Sequence, residues 1–192
     1  MELRCNLLAS LLDDLDEERK LTVFDAGSAT PETVEFFSNY KCRLHFSDLF
    51  SREALGCLEG ELTEAELLNH FQELLSFPTS TSFDVCLLWD VLNYLNEPAL
   101  NAFTKVLSRY LNSDTRIHGF ATLKPSTPFP NQVFSLVKIN TLKLKTRSAA
   151  QFPYYLHSQL TLNNTLSGMK VGKATLLANG LLEISFNKIP DH

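Results

Sequence analysis

No run of apolar residues in this chain approaches the roughly 20 needed to cross a bilayer; the longest uncharged apolar stretch is Val85–Trp89. No secretion signal is expected either, because Asp13, Asp14, Asp16, Glu17 and Glu18 crowd the first twenty residues where such a signal would be apolar. A cytoplasmic protein without a membrane span is expected. Cysteine is scarce, and Cys5, Cys42, Cys57 and Cys86 stand far apart with no Cys-x-x-Cys pair and no histidine at metal-ligand spacing. Buried reduced thiols, no disulfide and no metal site follow. A Walker-type lysine loop, a Gly-x-Ser-x-Gly elbow and a His-Glu-x-x-His helix are all absent, which sets aside kinase, hydrolase and zinc-protease readings.

Acids are missing from one whole region. Residues 1–114 hold 20 acids and 8 bases, whereas Thr115–Leu182 holds 8 bases and no acid, although the net charge of the 192 residues is −5. A basic patch for an anionic acceptor or an acidic protein partner is one expectation; bases balanced by acids of the first half is the plainer one. Nucleic acid is disfavoured as a partner, since the chain is acidic overall and no stacking-aromatic motif accompanies the bases.

What is present is ordinary for a folded chain: 44% hydrophobic and 20% charged residues, with enough length to bury a core without staples. Leu3, Leu7, Leu8, Leu11, Leu12 and Leu15 recur at helical spacing and predict an amphipathic helix over 2–18. Leu21–Phe24 reads as a strand stopped at Asp25-Ala26-Gly27-Ser28. Thr30, Pro31 and Glu32 read as a helix start, with a capping hydroxyl, proline at the first position and an acid in the first turn. Cys42–Phe46 is a second strand, Glu53–Leu75 is helical with a Thr63/Glu66 capping box, and Phe83–Trp89 is a strand buried on both faces.

Asn96 opens a helix through Leu100, Phe103, Val106, Leu107, Tyr110 and Leu111, and Arg116–Leu123 is the next strand. Residues 124–155, with four prolines, read as an insertion over the sheet carrying one short helix near Val133–Ile139. His157–Leu166 is a helix, and Met169–Leu177 with Leu181–Lys188 a hairpin around Ala178-Asn179-Gly180. Alternating helix and strand predicts an α/β sheet covered on both faces, in a single domain spanning 1–192.

In such a sheet ligands bind at the carboxyl ends of strands where strand order reverses, and a glycine after the first strand admits a ligand to the backbone. Gly27 occupies that place, and Asp48 stands 21 residues beyond it, at the spacing of an acid that accepts from ribose hydroxyls. At these residues the chain resembles the class I S-adenosylmethionine-dependent methyltransferases: Val23-Phe-Asp-Ala-Gly27 looks like the family's first motif, Asp48 like its ribose acid, and Leu75–Leu95 like its stretch into and beyond strand four.

The resemblance implies a doubly wound, Rossmann-like, seven-stranded and mostly parallel sheet closed by a C-terminal antiparallel hairpin. It also implies S-adenosylmethionine held by Asp25, Ala26, Gly27, Ser28, Asp48, Leu49, Trp89 and Asp90. Ala29 and Pro31 stand where the family usually has its second and third glycines, and Phe71 where it commonly presents an acid to the adenine. No Asn-Pro-Pro-Tyr or Asp-Pro-Pro-Tyr follows strand four. The residues also have structural readings: Asp25 as a loop cap, Asp48 as a helix cap, Asp90 bonding its own helix start, Trp89 as core, and His45 and His118 packed in strands. Two functions are therefore carried forward, a methyltransferase of unassigned acceptor and a catalytically inactive binding or scaffold module of the same fold.

Overall fold

A computed structural model of the chain describes residues 1–13, 15–16, 18–122, 131–147 and 152–190. Its larger sheet has six strands in the order β3 (Cys42–Phe46), β2 (Leu21–Asp25), β4 (Phe83–Trp89), β5 (Leu111–Thr122), β9 (Leu181–Lys188) and β8 (Met169–Leu176). Of these only β9 runs against the rest. The interior strands β2 and β4 are apolar without alternation because both faces are covered, and β4 is buried at every position but Asp84. After β2 the chain adds β3 on one side and then β4 on the other. Strand order therefore reverses between β2 and β4, and in open α/β sheets ligands bind at the carboxyl ends of the strands at such a reversal.

Local signals fixed the helices. Thr30 caps α2 (Pro31–Phe37) by accepting from Thr33 N, with Pro31 at the first turn where its missing N–H costs nothing. The Thr63/Glu66 capping box starts α4 (Glu64–Leu74), and Asn96 caps α5 (Glu97–Leu107). The expected helix over 53–75 is broken into α3 (Arg52–Leu55), a 3-10 turn (Gly56–Glu59) and α4. Phe71 is core, edge-on to Phe103 at 5.5 Å.

Four expectations are corrected. Among the described residues the sheet has six strands, not seven, and the chain between β3 and β4 forms only helices and turns. The N-terminal helix is only α1 (Asn6–Leu12), and residues 2–4 are instead a strand, β1 (Glu2–Arg4). The helix expected near 133–139 is β6 (Gln132–Lys138), which pairs with β7 (Thr141–Thr146); β1 joins the far side of β7 to make a three-stranded antiparallel sheet. Finally, not every thiol is buried. Cys5 and Cys86 are, Cys42 is half-buried and Cys57 is exposed, and all four are free. Residues 124–130 and 148–151 of the expected insertion lie outside the described residues. As expected, α6 (Gln159–Thr165) and the β8–β9 hairpin close the fold, with Gly180 at φ +88° in the turn.

The small sheet packs over the carboxyl ends of β2 and β4 as a cap, with Phe134 of β6 stacked on Trp89. Leu136 N donates to Thr33 Oγ1 at 2.9 Å, and Lys143 and Lys145 reach Glu32 at 2.7 and 3.3 Å. These bonds, the Lys143 one foremost, hold the Glu32 carboxyl well below its ordinary range. On the N-terminal side, buried Glu183 accepts from Asn6 N (3.1 Å), Leu8 N (2.9 Å) and His118 Nε2 (3.1 Å). One carboxylate thereby fixes the start of α1 to β5 and β9. No helix among the described residues is long and apolar enough to cross a membrane.

Candidate functional site

The carboxyl ends of β2, β3 and β4 converge under the cap. Asp25 ends β2 fully buried, and its Oδ1 accepts from Gly27 N at 2.8 Å and Trp89 Nε1 at 2.5 Å. Burial pushes its carboxyl up to about 7, against the opposing pull of those two bonds. The bare α-carbon of Gly27 serves this closure, since a Cβ there would stand 3.1 Å from Asp25 Oδ1 and 3.4 Å from the Trp89 indole. The loop is further stitched to the end of β3 by Ser47 N to Asp25 O, Asp48 N to Gly27 O and Leu49 N to Ala26 O, at 3.2, 3.2 and 2.8 Å. Ala26 and Leu49 are buried parts of that seam, while Ser28 is half-buried and Ala29 exposed.

Two residues at these strand ends take left-handed backbone conformations: Asp48 at φ +39° and Trp89 at φ +51°. For a side chain as bulky as tryptophan this costs about 1–3 kcal/mol, and such strain concentrates at functional sites. The Trp89 indole is buried and lies parallel to Phe134 at 5.6 Å; Phe134 in turn stacks on Phe120 at 5.2 Å. An aromatic column from cap to sheet results.

Beside it lies a polar cluster with unfinished hydrogen bonding. Among the described residues, buried Asp90 has no hydrogen-bond partner on either carboxylate oxygen; Asp48 Oδ1 is buried and likewise accepts no hydrogen bond, although the Arg147 guanidinium stands 3.7 Å away. Burial raises Asp90 to about 7 despite the attraction of Arg147. Asp90 makes no capping bond to the turn it starts, and Ser51, not Asp48, caps the next helix, so the two capping roles are corrected. Arg147 lies over the Phe50 ring at 4.4 Å and donates to Gln132 O.

Tyr94 OH accepts from Asn131 N at 2.6 Å, Tyr154 OH bonds Thr122 at 2.8 Å, and the two rings meet edge-on at 5.0 Å. Asn93 ties the turn after β4 to the end of β5, donating to Asp90 O and Phe120 O and accepting from Thr122 N. Arg147, Phe134, Asn93, Tyr94 and Tyr154 were not found from sequence. The Asn93-Tyr94 pair begins three residues beyond Asp90 and was the available signal; the others come from distant segments.

His118 is packed as expected, buried against Glu183, and burial holds its imidazole below the ordinary value. His45 packs edge-on to Phe77 and Phe83. Among the described residues no cluster of three or more His, Cys, Asp or Glu side chains is arranged to hold a metal.

No family model matches the sequence, and no curated protein matches it. Solved structures do. The chain is similar to an S-adenosylmethionine dependent methyltransferase from Mesorhizobium loti over 93% of its own length and 96% of that chain, at 13% identity and a TM-score of 0.57. Its fold is that of the S-adenosylmethionine-dependent methyltransferases. The 1,6-didemethyltoxoflavin-N1-methyltransferase of Burkholderia thailandensis, solved with S-adenosylhomocysteine bound, shares the methyltransferase fold over 96% of this chain and 77% of its own, at 15% identity and a TM-score of 0.50. The mitomycin 7-O-methyltransferase matches 95% of this chain at 12% identity and a TM-score of 0.53, but the chain spans only about half (53%) of its length.

Proposed function

We propose that the chain is an S-adenosylmethionine-dependent methyltransferase of unassigned acceptor, with its cofactor across the carboxyl ends of β2, β3 and β4. The observation that carries this reading is the orphaned pair, Asp48 Oδ1 and both oxygens of Asp90, buried without hydrogen-bond donors. Such groups are costly to a fold unless something supplies donors. Ribose hydroxyls and an ammonium group are donors of the required kind, so the residues present fit the cofactor at its two polar ends. Asp48 would accept from the hydroxyls and Asp90 from the ammonium. Ser28 lies at the rim, and Asp25, Ala26, Gly27, Leu49 and Trp89 frame the site.

The Trp89–Phe134 stack covers the strand ends, and Arg147 offsets the charge of the two acids. When bound, the cofactor supplies a sulfonium methyl group for in-line displacement, a reaction that orientation alone can promote. No side chain is assigned as a base.

The second reading, an inactive binding or scaffold module, has its own supporting observation. The Gly27 amide and carbonyl are both already used within the chain, and its open side faces the buried Trp89 ring.

Thermal melting with S-adenosylhomocysteine separates the two. Ligand at a hundredfold excess over its dissociation constant should contribute about 2.7 kcal/mol, or a rise of roughly 5–10 °C for a chain of this size. Asp48→Ala should weaken binding by about 1.5–3 kcal/mol through loss of charge-assisted bonds. An unchanged melting temperature at about 5 mM ligand would leave the inactive module as the reading.

A further inference from the structure

Among the described residues, four bases of the acid-free region are engaged within the fold, and Lys124 lies outside those residues. Arg116 donates to Leu11 O, Lys143 and Lys145 bind Glu32, and Arg147 lies between Asp48 and Phe50. Lys138 on β6 and both Lys170 and Lys173 on β8 are exposed, and none of the three forms an ion pair among the described residues; only the last two share a strand.

β8 ends the six-stranded sheet, and no strand among the described residues pairs with its outer side. The first part of that edge is covered, because Val171 N donates to Asn163 Oδ1 on α6 at 3.0 Å. From Gly172 to Leu176 every residue is exposed, including Leu176 at 63%. A register shift falls between Val171 and Lys173. There a groove of about 400 Å³ is lined by Leu7 and Leu11, with Lys173, Ser185 and Asn187 among its other residues. The single acid on β8 and β9 is Glu183, which is wholly buried and bonded.

We infer that the free edge of β8 receives an extended acidic segment of a partner protein, which adds a strand beyond Gly172–Leu176 and seats an apolar side chain on Leu7 and Leu11. Main-chain bonding supplies affinity in this mode of recognition, and side-chain pockets supply choice. The charge selects the occupant: Lys170 and Lys173 attract an acidic strand, whereas two β8 edges brought together would oppose their own lysines. Docking here is independent of what the strand ends hold, since β8 lies at the opposite side of the sheet from β2 and β3.

The test uses a fluorescent peptide of about twelve residues alternating glutamate and valine, its lysine–valine counterpart, and the acidic peptide N-methylated at alternate residues along one edge. The full chain should bind the acidic peptide at least about tenfold more tightly than the basic one, and more weakly as salt rises. N-methylation along the pairing edge should cost about tenfold or more, and Lys170→Glu with Lys173→Glu should do the same while leaving the melting temperature unchanged. Equal binding of the two charges, or indifference to N-methylation, would overturn strand addition. Tighter binding of an oligothymidylate with the same lysine dependence, or a dimer in sedimentation that the double variant abolishes, would replace the acidic strand by nucleic acid or a second copy.

Discussion

Asp90→Asn should make the protein more stable at about pH 8 and weaken its hold on S-adenosylhomocysteine. Asp90 is buried with both oxygens unpartnered, and its carboxyl is raised from 3.8 to about 7. A carboxyl raised in the folded state favours folding most when protonated. Its contribution is complete below pH 3.8, declines as pH rises, and is fully lost above about 7. A shift of roughly three units corresponds to about 4 kcal/mol at most. The new amide would itself lack partners, at a cost of about 1–3 kcal/mol.

A net gain of about 1–3 kcal/mol, or roughly 3–10 °C in melting temperature, is therefore expected at alkaline pH, reversing to a loss of similar size near pH 4, where only the cost of the amide remains. Melting curves between those limits check it. A variant no more stable than the parent at high pH would mean that the carboxylate has donors after all. A stabilised variant that binds the ligand equally well would remove Asp90 from the site.

Glu183→Ala should act in the opposite direction. Burial alone would raise this carboxyl, but the bonds from His118 and from the Leu8 amide outweigh it and hold it below the ordinary 4.5. Its contribution is thus present above pH 4.5 and disappears as pH falls through the lower folded value. Truncation strands the amides of Asn6 and Leu8 and the ring of His118, a loss of about 3–5 kcal/mol. Melting should fall by roughly 6–20 °C, with Glu183→Gln between the two because an amide oxygen can still accept. A Glu183→Ala protein that melts with the parent would show that α1 is held by its leucines alone.

The parts of the molecule that were legible in sequence are those set by neighbouring residues. Thr30-Pro31, Thr63/Glu66 and Asn96 carry their helix starts within four residues, and the apolar run Phe83–Trp89 announces a buried strand without reference to anything distant. The cap was illegible because its pairings are remote: Leu3 shares a helical period with Leu7, but its strand partner is Leu142. A better reading was available for β7, where Leu142 and Leu144 alternate with Lys143 and Lys145 and only the leucines are buried. The seventh strand came from family likeness and not from residues, since the Leu- and Glu-rich stretch after Ser51 was already helical in pattern. At the site, the strand-end acids could be read from spacing, whereas Arg147 and Phe134 could not, being brought there by the cap.

The way the first dozen residues are held has a bearing on how the protein is made. β1 pairs with β7, and α1 is pinned by Glu183, whose separation from Leu8 is 175 residues. Contacts between such remote segments close late, because the intervening chain must first be organised. At about 5–20 residues per second, ribosomal synthesis takes roughly 10–35 s to travel from Leu8 to Glu183. During that interval Leu3, Leu8 and Leu12 have no sheet to cover, and a nascent chain in this condition offers the cell's chaperones an apolar leader before it offers them a fold.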